Sequence, residues 1–124
     1  MKPSLQPGHD YCGVEATIAI IGGRWKANIL SHLLDGTHRF GELRSKGRGV
    51  SQRMLTQQLR EMELHGLITR KIFAEVPPRV EYTITPLGLS LRPVLKAMYD
   101  WGMNNQKNIA ARIKQPKQAA PSKL

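Results

Sequence analysis

The sequence predicts a mainly helical α+β fold in which a helix-turn-helix is followed by a two-stranded β-wing. Two amphipathic helix patterns, at residues 37–50 and 51–66, are separated by a glycine-containing turn. Two strand-like runs follow, and they meet at Pro77-Pro78. Apolar residues recur at helical spacing in the first two stretches and alternate with polar residues in the last. The order of these elements predicts more about the chain than any single residue does.

Length and composition limit the number of domains and the class of partner. A chain of 124 residues corresponds to one domain. Its net charge is +10, with 19 Lys and Arg against 9 Asp and Glu, which favours DNA, RNA or an anionic membrane surface. Excess charge can also simply keep a protein soluble. No stretch approaches the roughly 20 apolar residues of a membrane span, and no signal peptide is visible. A single cysteine, Cys12, fits a reducing compartment, so we expect a cytoplasmic protein. Because no membrane span is visible, we expect no membrane partner.

The N-terminal third predicts two helices. Val14, Ile18 and Ile21 recur at helical spacing and indicate the first helix, which Gly22-Gly23 should end. A second helix is expected over roughly residues 24–34. Both helices are amphipathic.

The helix-turn-helix follows. Thr37 is expected to cap a short helix over residues 39–46, and residues 47–49 form the turn. Ser51 can cap the next helix, because its side-chain oxygen accepts hydrogen bonds from the first turn. Gly66 is a suitable residue to end it. The buried stripe of this second helix is predicted to consist of Leu55, Leu59 and Met62.

The C-terminal half predicts the wing and further helices. Residues 80–85 alternate cleanly, whereas the partner strand at about 67–76 is less regular. Prolines cannot donate ladder hydrogen bonds, so Pro77-Pro78 belong at the hairpin tip. Thr85-Pro86 is a good helix start, and Pro93 should kink the following helix or split it in two.

The second helix of the helix-turn-helix has the residues of a DNA-reading helix. The major groove of B-DNA is about 12 Å wide and admits one α-helix. Gln can pair with adenine, Arg with guanine, and Thr with a thymine methyl group or a phosphate. An ordinary solvated helix face is the alternative interpretation. The predicted reading residues are Ser51, Gln52, Arg53, Thr56, Gln57 and Arg60.

Basic residues surround this helix. Residues 39–53 contain five cations and one acidic residue, and such a cluster can bind phosphates and set the register on DNA. On the wing, Lys71 and Arg79 can reach the backbone or the minor groove, or they can instead protect the hairpin edge from aggregation. The predicted backbone contacts before the reading helix are Arg39, Arg44, Lys46 and Arg48.

These motifs together resemble the HxlR-type helix-turn-helix transcriptional regulators, a winged-helix family related to the MarR group. The resemblance extends over about residues 12–102. The matching segments are CGVE at 12–15, IIGGRWK at 20–26, RFGEL at 39–43, SQRMLT at 51–56, HGLITR at 65–70, VPPRVEYTIT at 76–85 and WG at 101–102.

The resemblance implies a homodimeric regulator that binds double-stranded DNA at an inverted-repeat operator, with half-sites about one helical turn apart. The family domain would occupy residues 12–104, between a flexible arm at 1–11 and a basic tail at 105–124. In that tail we expect helix to about Ile113 and a disordered end. The N- and C-terminal helices would form the dimer interface through Val14, Ile18, Ile21, Leu91, Leu95, Met98 and Trp101.

Cys12 is the candidate sensor. Family members commonly respond to oxidants or electrophiles through a cysteine near the N-terminus, and Cys12 matches that position, although Gly13 stands where the family usually has proline. A helix N-terminus favours a reactive thiolate, whereas the nearby Glu15 opposes it. With no second cysteine, any disulfide must be intermolecular. The alternative is a small residue packed at the dimer interface.

Other sites and functions are weaker predictions. His9, Asp10 and Cys12 match no strong zinc pattern, so neither a metal nor another cofactor is expected. Trp25 and Trp101 are expected in the core or dimer interface, although a small-molecule effector pocket between them stays open. The remaining histidines are expected at the surface or in loops; they are His32, His38 and His65.

Three classes of function compete with a sequence-specific regulator. A sequence-neutral architectural protein would bind nucleic acid through charge alone. A protein-interaction winged helix would have no use for the predicted reading residues. An enzyme is not expected, because the chain has no phosphate loop, nucleophile–base constellation or metal signature.

Overall fold

The computed structural model describes residues 12–119, with side chains described as far as Ile113. The predicted arm at 1–11 and the last five residues lie outside this range. Two compact units succeed one another along the chain, the first ending at Arg92 and the second beginning at Pro93. The elements are α1 (Gly13–Ile21), α2 (Lys26–Leu33), β1 (His38–Arg39), α3 (Phe40–Lys46), α4 (Gln52–Leu64), β2 (Ile68–Phe73), β3 (Arg79–Ile84), α5 (Pro86–Leu89), α6 (Arg92–Asn104) and α7 (Gln106–Ala119).

The helix-turn-helix consists of α3 and α4, and the buried stripe of α4 is the one that the periodicity predicts. Leu55, Leu59 and Met62 are each at most 1% exposed. Burial of a leucine-sized side chain contributes about 1.5–3 kcal/mol, so this stripe fixes which face of α4 points outward. The core of the first unit also includes Ile29, Leu30 and Leu33 of α2, Leu43 of α3, Leu67 just before β2, and Ile68 at the start of β2.

Both ends of α4 are capped as the sequence predicts. The hydroxyl oxygen of Ser51 accepts a hydrogen bond from the backbone N–H of Met54 at 3.1 Å. At the other end Gly66 has φ +79°, a conformation that glycine adopts without a Cβ clash. The Leu67 N–H then donates to the Met62 carbonyl at 2.9 Å, and the Gly66 N–H donates to the Glu63 carbonyl at 3.0 Å. This is a Schellman termination, which satisfies two of the last carbonyls of the helix.

The sheet has three strands, where the sequence predicts two. β1 pairs antiparallel with β3, so the order is β1-β3-β2. The prediction that Thr37 caps α3 is therefore wrong. Its hydroxyl bonds to that of Thr83 at 2.8 Å, across the strands. Arg39 is the N-cap instead, and its N–H donates to the carboxylate of Glu42 at 2.7 Å. A strand of two residues has no alternation for the sequence to show, and its pairing partner lies more than forty residues away.

The wing is the β2–β3 hairpin, and its tip contains Pro77-Pro78 as predicted. Its register runs from Ile68 opposite Ile84 to Phe73 opposite Arg79. Thr85 then caps α5 as predicted, because its hydroxyl oxygen accepts from the Gly88 N–H at 3.1 Å. The same hydroxyl donates to the Gly66 carbonyl at 2.6 Å, which links the end of α4 to the start of α5.

The helices after the wing differ from prediction in two boundaries. The expected split near Pro93 occurs at Ser90-Leu91, so that Pro93 becomes the second residue of α6. Proline is tolerated there, because the first N–H groups of a helix have no intrahelical partner. α7 continues to Ala119, beyond the predicted end near Ile113, and the rest of the expected disordered end lies outside the described residues. Among the described helices, none is both long and apolar enough to cross a membrane.

Candidate nucleic-acid interface

The outward face of α4, here called the reading face, consists of Gln52, Arg53, Thr56, Gln57 and Arg60. All are exposed except Thr56, which is half-buried. They line one shallow open concavity together with Glu61. The Thr56 hydroxyl donates to the Gln52 carbonyl at 2.8 Å, so its oxygen remains an acceptor toward the outside. The structure thus brings together all the predicted reading residues, with Ser51 at the capped end of the same helix.

A chain of polar contacts beside the reading face escaped the sequence prediction. The Lys26 ammonium donates to Glu61 Oε1 at 2.6 Å, and Gln57 Nε2 donates to Glu61 Oε2 at 3.4 Å. The Lys26 side chain is only 12% exposed, whereas that of Glu61 is 40% exposed. This ion pair joins α2 to α4 and offsets the negative charge of Glu61 next to the reading face. Since the partners lie 35 residues apart, no local spacing could have signalled the pair.

The basic cluster, Arg39, Arg44, Lys46 and Arg48, is exposed throughout. Arg48 lies in the turn between α3 and α4 with φ +43°, next to Gly49 with φ +91°. The one carboxylate of the segment, Glu42, accepts a hydrogen bond from the Arg39 backbone, and this bond is the largest cause of its lowered pKa. Ionised Glu42 therefore stabilises the start of α3. Four cations against one carboxylate leave this segment, directly before α4, with a net positive charge.

The expectation that His38 lies at the surface or in a loop is wrong. His38 is part of β1 and is only 6% exposed. Its Nδ1 lies 2.7 Å from the Gly36 carbonyl oxygen, and its Nε2 lies 2.7 Å from the Lys46 ammonium. His32 of α2 is half-buried, and its pKa is lowered by desolvation and then by the nearby Lys46 and His38. His65 is exposed, as expected.

The wing residue Arg79 has local partners. Its guanidinium lies 3.2 Å from the Glu75 carboxylate and 3.4 Å from that of Glu81, and it stacks 3.9 Å from the centre of the Phe73 ring. Lys71 is exposed, with its ammonium 4.9 Å from the same ring. Two carboxylates thus offset the charge of Arg79, whereas Lys71 has no carboxylate partner among the described residues.

Cys12 is a free, exposed cysteine. The thiol is exposed at the N-cap of α1, with Glu15 in the first turn of the helix.

The two tryptophans differ in exposure. Arg24 stacks 4.5 Å from the ring of Trp25, which is half-buried, whereas Trp101 is 63% exposed. No cluster of three or more His, Cys, Asp or Glu that could hold a metal occurs among residues 12–113; His9 and Asp10 precede that range.

The predicted dimer-interface residues fall into three groups by exposure. Ile21 is 5% exposed and Leu95 is 4% exposed, so each is already buried without a partner chain. Leu91 is half-buried. The remaining four predicted interface residues stay exposed; they are Val14 (66%), Ile18 (56%), Met98 (49%) and Trp101 (63%).

Comparison with known proteins places the chain in a family. The model of the HxlR-like helix-turn-helix family matches residues 20–110. The HTH-type transcriptional regulator YybR of Bacillus subtilis is 42% identical over 105 residues, which cover 85% of this chain and 84% of YybR. YdeP of the same organism is 52% identical over 91 residues, covering 73% of this chain and 71% of YdeP.

Solved structures agree with these sequence relatives. The redox regulator HypR in its reduced form superposes with a TM-score of 0.75 at 41% identity, over 81% of this chain and 99% of HypR. Reduced YodB from B. subtilis superposes with a TM-score of 0.65 at 33% identity, over 75% and 92% of the two chains. Both structures are described as regulators, and the sequence relatives are transcriptional regulators rather than enzymes. The chain is therefore a member of the HxlR-like helix-turn-helix family of transcriptional regulators.

Proposed function

We propose that this chain is a homodimeric, sequence-specific DNA-binding regulator that reads the major groove with α4. The reading face carries the proposal, because it presents two arginines and two glutamines on a helix whose opposite side is fully buried. α4 has 13 residues and is therefore about 20 Å long, enough to lie along several base pairs of a groove about 12 Å wide.

The residues of the interface have different roles in this proposal. Arg53 and Arg60 are suited to guanine, and Gln52 and Gln57 to adenine. The basic cluster and Lys71 contact phosphates, which position the helix but carry no sequence information. Arg79 stays a predicted wing contact, although its carboxylate partners make it a weaker candidate than Lys71.

Dimerisation is supported by apolar side chains that the single chain leaves in water. α1 exposes Val14 and Ile18, and α6 exposes Met98 and Trp101. Exposed apolar groups of this size are typical of interaction surfaces. A two-fold dimer would place its two α4 helices on an inverted repeat, with half-site centres about 34–36 Å apart. An effector that binds the two dimer arrangements with different affinity would change the fit to that repeat.

We also propose that Cys12 makes the regulator responsive to oxidants or electrophiles. Support comes from its exposed position at a helix N-terminus and from the related structures of oxidised HypR and diamide-treated YodB. Because Cys12 is the single cysteine, an oxidant that removes two electrons from two thiols would join two chains.

The test is fluorescence anisotropy with DNA from upstream of the chain's own gene and with scrambled DNA, near physiological salt and with the thiol reduced. We expect preference for the native DNA by a factor of ~10³ or more. Equal affinity for both, collapsing as salt rises, would instead favour a sequence-neutral architectural protein. The net charge of +10 is the observation in favour of that second candidate.

A further inference from the structure

We propose that His38 is a positioning residue for DNA binding. Its ring holds the Lys46 ammonium at the end of α3, in the position from which Lys46 contacts a DNA phosphate. The inference rests on the proposed function and adds a residue to it. His38 does not contact DNA in this proposal, and it acts through Lys46.

The two contacts of the imidazole ring define its protonation. A carbonyl oxygen only accepts hydrogen bonds, so the 2.7 Å contact with Gly36 requires a proton on Nδ1 of His38. In the neutral ring Nε2 is then an acceptor, and the Lys46 ammonium donates to it at 2.7 Å. An ammonium has three N–H donors, so Lys46 retains two for a phosphate.

The ring itself is held firmly. His38 pairs with Tyr82 in the sheet and is 6% exposed, so its side chain has little freedom to move. Lys46, in contrast, is exposed and is the last residue of α3, directly before the turn that leads to α4. A lysine side chain loses much rotamer freedom on binding. Anchoring its ammonium to a fixed ring removes part of that loss before DNA arrives.

Neighbouring groups support the same arrangement. His32 of α2 is half-buried and lies close to both Lys46 and His38. The lowered pKa of His32 reflects desolvation first and then the closeness of Lys46 and His38. The Lys46 ammonium therefore reaches the buried ring of His38 beside a second imidazole, while the Lys46 side chain as a whole stays exposed.

Two substitutions at His38 separate positioning from a merely structural role. The amide of asparagine reaches about as far as Nδ1, so His38→Asn retains a donor for Gly36 and loses the acceptor for Lys46. The amide of glutamine reaches about as far as Nε2, so His38→Gln retains an acceptor for Lys46. Lys46→Ala and the double variant His38→Asn/Lys46→Ala complete the set, and Arg53→Ala reports on base reading.

The experiment measures the affinity of the full chain for operator DNA at a series of salt concentrations, with thermal unfolding of each variant. Losing one phosphate contact lowers the slope of log affinity against log salt by about 0.9, so a homodimer that loses the contact in both chains should lose about 1.8. We expect that reduction for Lys46→Ala, for His38→Asn and, without further loss, for the double variant. His38→Gln should retain the slope of the wild type.

Several results would overturn the inference. A wild-type slope in His38→Asn beside a reduced slope in Lys46→Ala would show that the ring does not position Lys46. Equal losses in His38→Asn and His38→Gln would show a structural role only. An unchanged slope in Lys46→Ala, with base preference still lost in Arg53→Ala, would refute the role of Lys46 while leaving the proposed function intact. A wild type without any operator preference would instead refute the proposed function.

A spectroscopic measurement covers the case in which His38→Asn does not fold. Nitrogen-15 NMR of the imidazole rings distinguishes the two tautomers. We expect His38 in the Nδ1–H form in the wild type, with an Nε2 resonance that moves in Lys46→Ala. An Nε2–H tautomer, or an Nε2 resonance that is indifferent to Lys46→Ala, would overturn the inference.

Discussion

Two glutamates near the end of α4 provide a matched test of how burial changes the value of an ion pair. Glu61 pairs with Lys26 at 2.6 Å, and Glu63 pairs with Arg70 at 3.1 Å. The two glutamates are similarly exposed, at 40% and 36% of their side chains. Their partners differ, since the Lys26 side chain is 12% exposed and that of Arg70 is 42% exposed. Truncating each glutamate to alanine therefore leaves an unpaired cation that is largely buried in one case, Lys26, and accessible to water in the other, Arg70.

The expected magnitudes follow from that difference. Removing Glu61 leaves a largely buried ammonium without its carboxylate, which costs about 1.5–3 kcal/mol. Removing Glu63 leaves Arg70 accessible to water, and such exposed pairs contribute about 0–1 kcal/mol. Both substitutions remove a negative charge from the last turn of the same helix and introduce the same residue. The macrodipole and propensity effects therefore cancel in the comparison.

The measurement is urea unfolding of wild type, Glu61→Ala and Glu63→Ala under identical conditions. We expect Glu61→Ala to lose more free energy of unfolding than Glu63→Ala by at least about 1 kcal/mol, which corresponds to roughly 4 °C in melting temperature for a chain of 124 residues. A loss in Glu63→Ala equal to or larger than that in Glu61→Ala would refute the reasoning, because burial of the partner cation would then not set the cost.

Four further outcomes are expected. Arg53→Ala should lose about 1–3 kcal/mol of operator affinity and relax base preference in a binding titration; a uniform loss on all sequences would contradict the reading role. Gly66→Ala should lower the free energy of unfolding in urea by about 1 kcal/mol or more, because Gly66 has φ +79°. Gly41→Ala should not lower it, because Gly41 lies in α3 with open space around it. Equal effects of the two substitutions would contradict the capping argument. The pKa of Glu42 is lowered, so its ionised form stabilises the fold at pH values above the ordinary pKa of 4.5, and this contribution is lost as pH falls through the lower folded-state pKa. Glu42→Gln should therefore be less stable than wild type at pH 7 and equally stable in strong acid. A difference in stability that does not change with pH would contradict this. Diamide should produce a covalent dimer on a non-reducing gel that Cys12→Ser abolishes; a dimer that persists in the variant would exclude Cys12 as the link.

Local sequence was enough to predict a structural feature wherever one short segment contains all the groups that interact. The stripe of Leu55, Leu59 and Met62 fixed the buried side of α4 and, by elimination, its outward face. The caps at Ser51 and Gly66 were equally predictable, because a cap joins groups within a few residues of each other.

Tertiary contacts decided the features that local sequence could not show. The pairing of β1 with β3, the burial of His38 and the Lys26–Glu61 pair all join groups that local patterns treat separately. The local partners of Arg79 depend on the register of the wing in the same way.

The sequence by itself therefore determined the helix-turn-helix, the hairpin that follows it and the composition of the reading face, because these depend on periodicity and on short-range hydrogen bonds. Only the tertiary structure decided which charged side chains are held by partners and which apolar side chains are left exposed. Ile21 and Ile18 are both apolar residues of α1, yet one is 5% exposed and the other 56%. Periodicity places residues on a helix face, whereas burial depends on what the rest of the chain brings against that face.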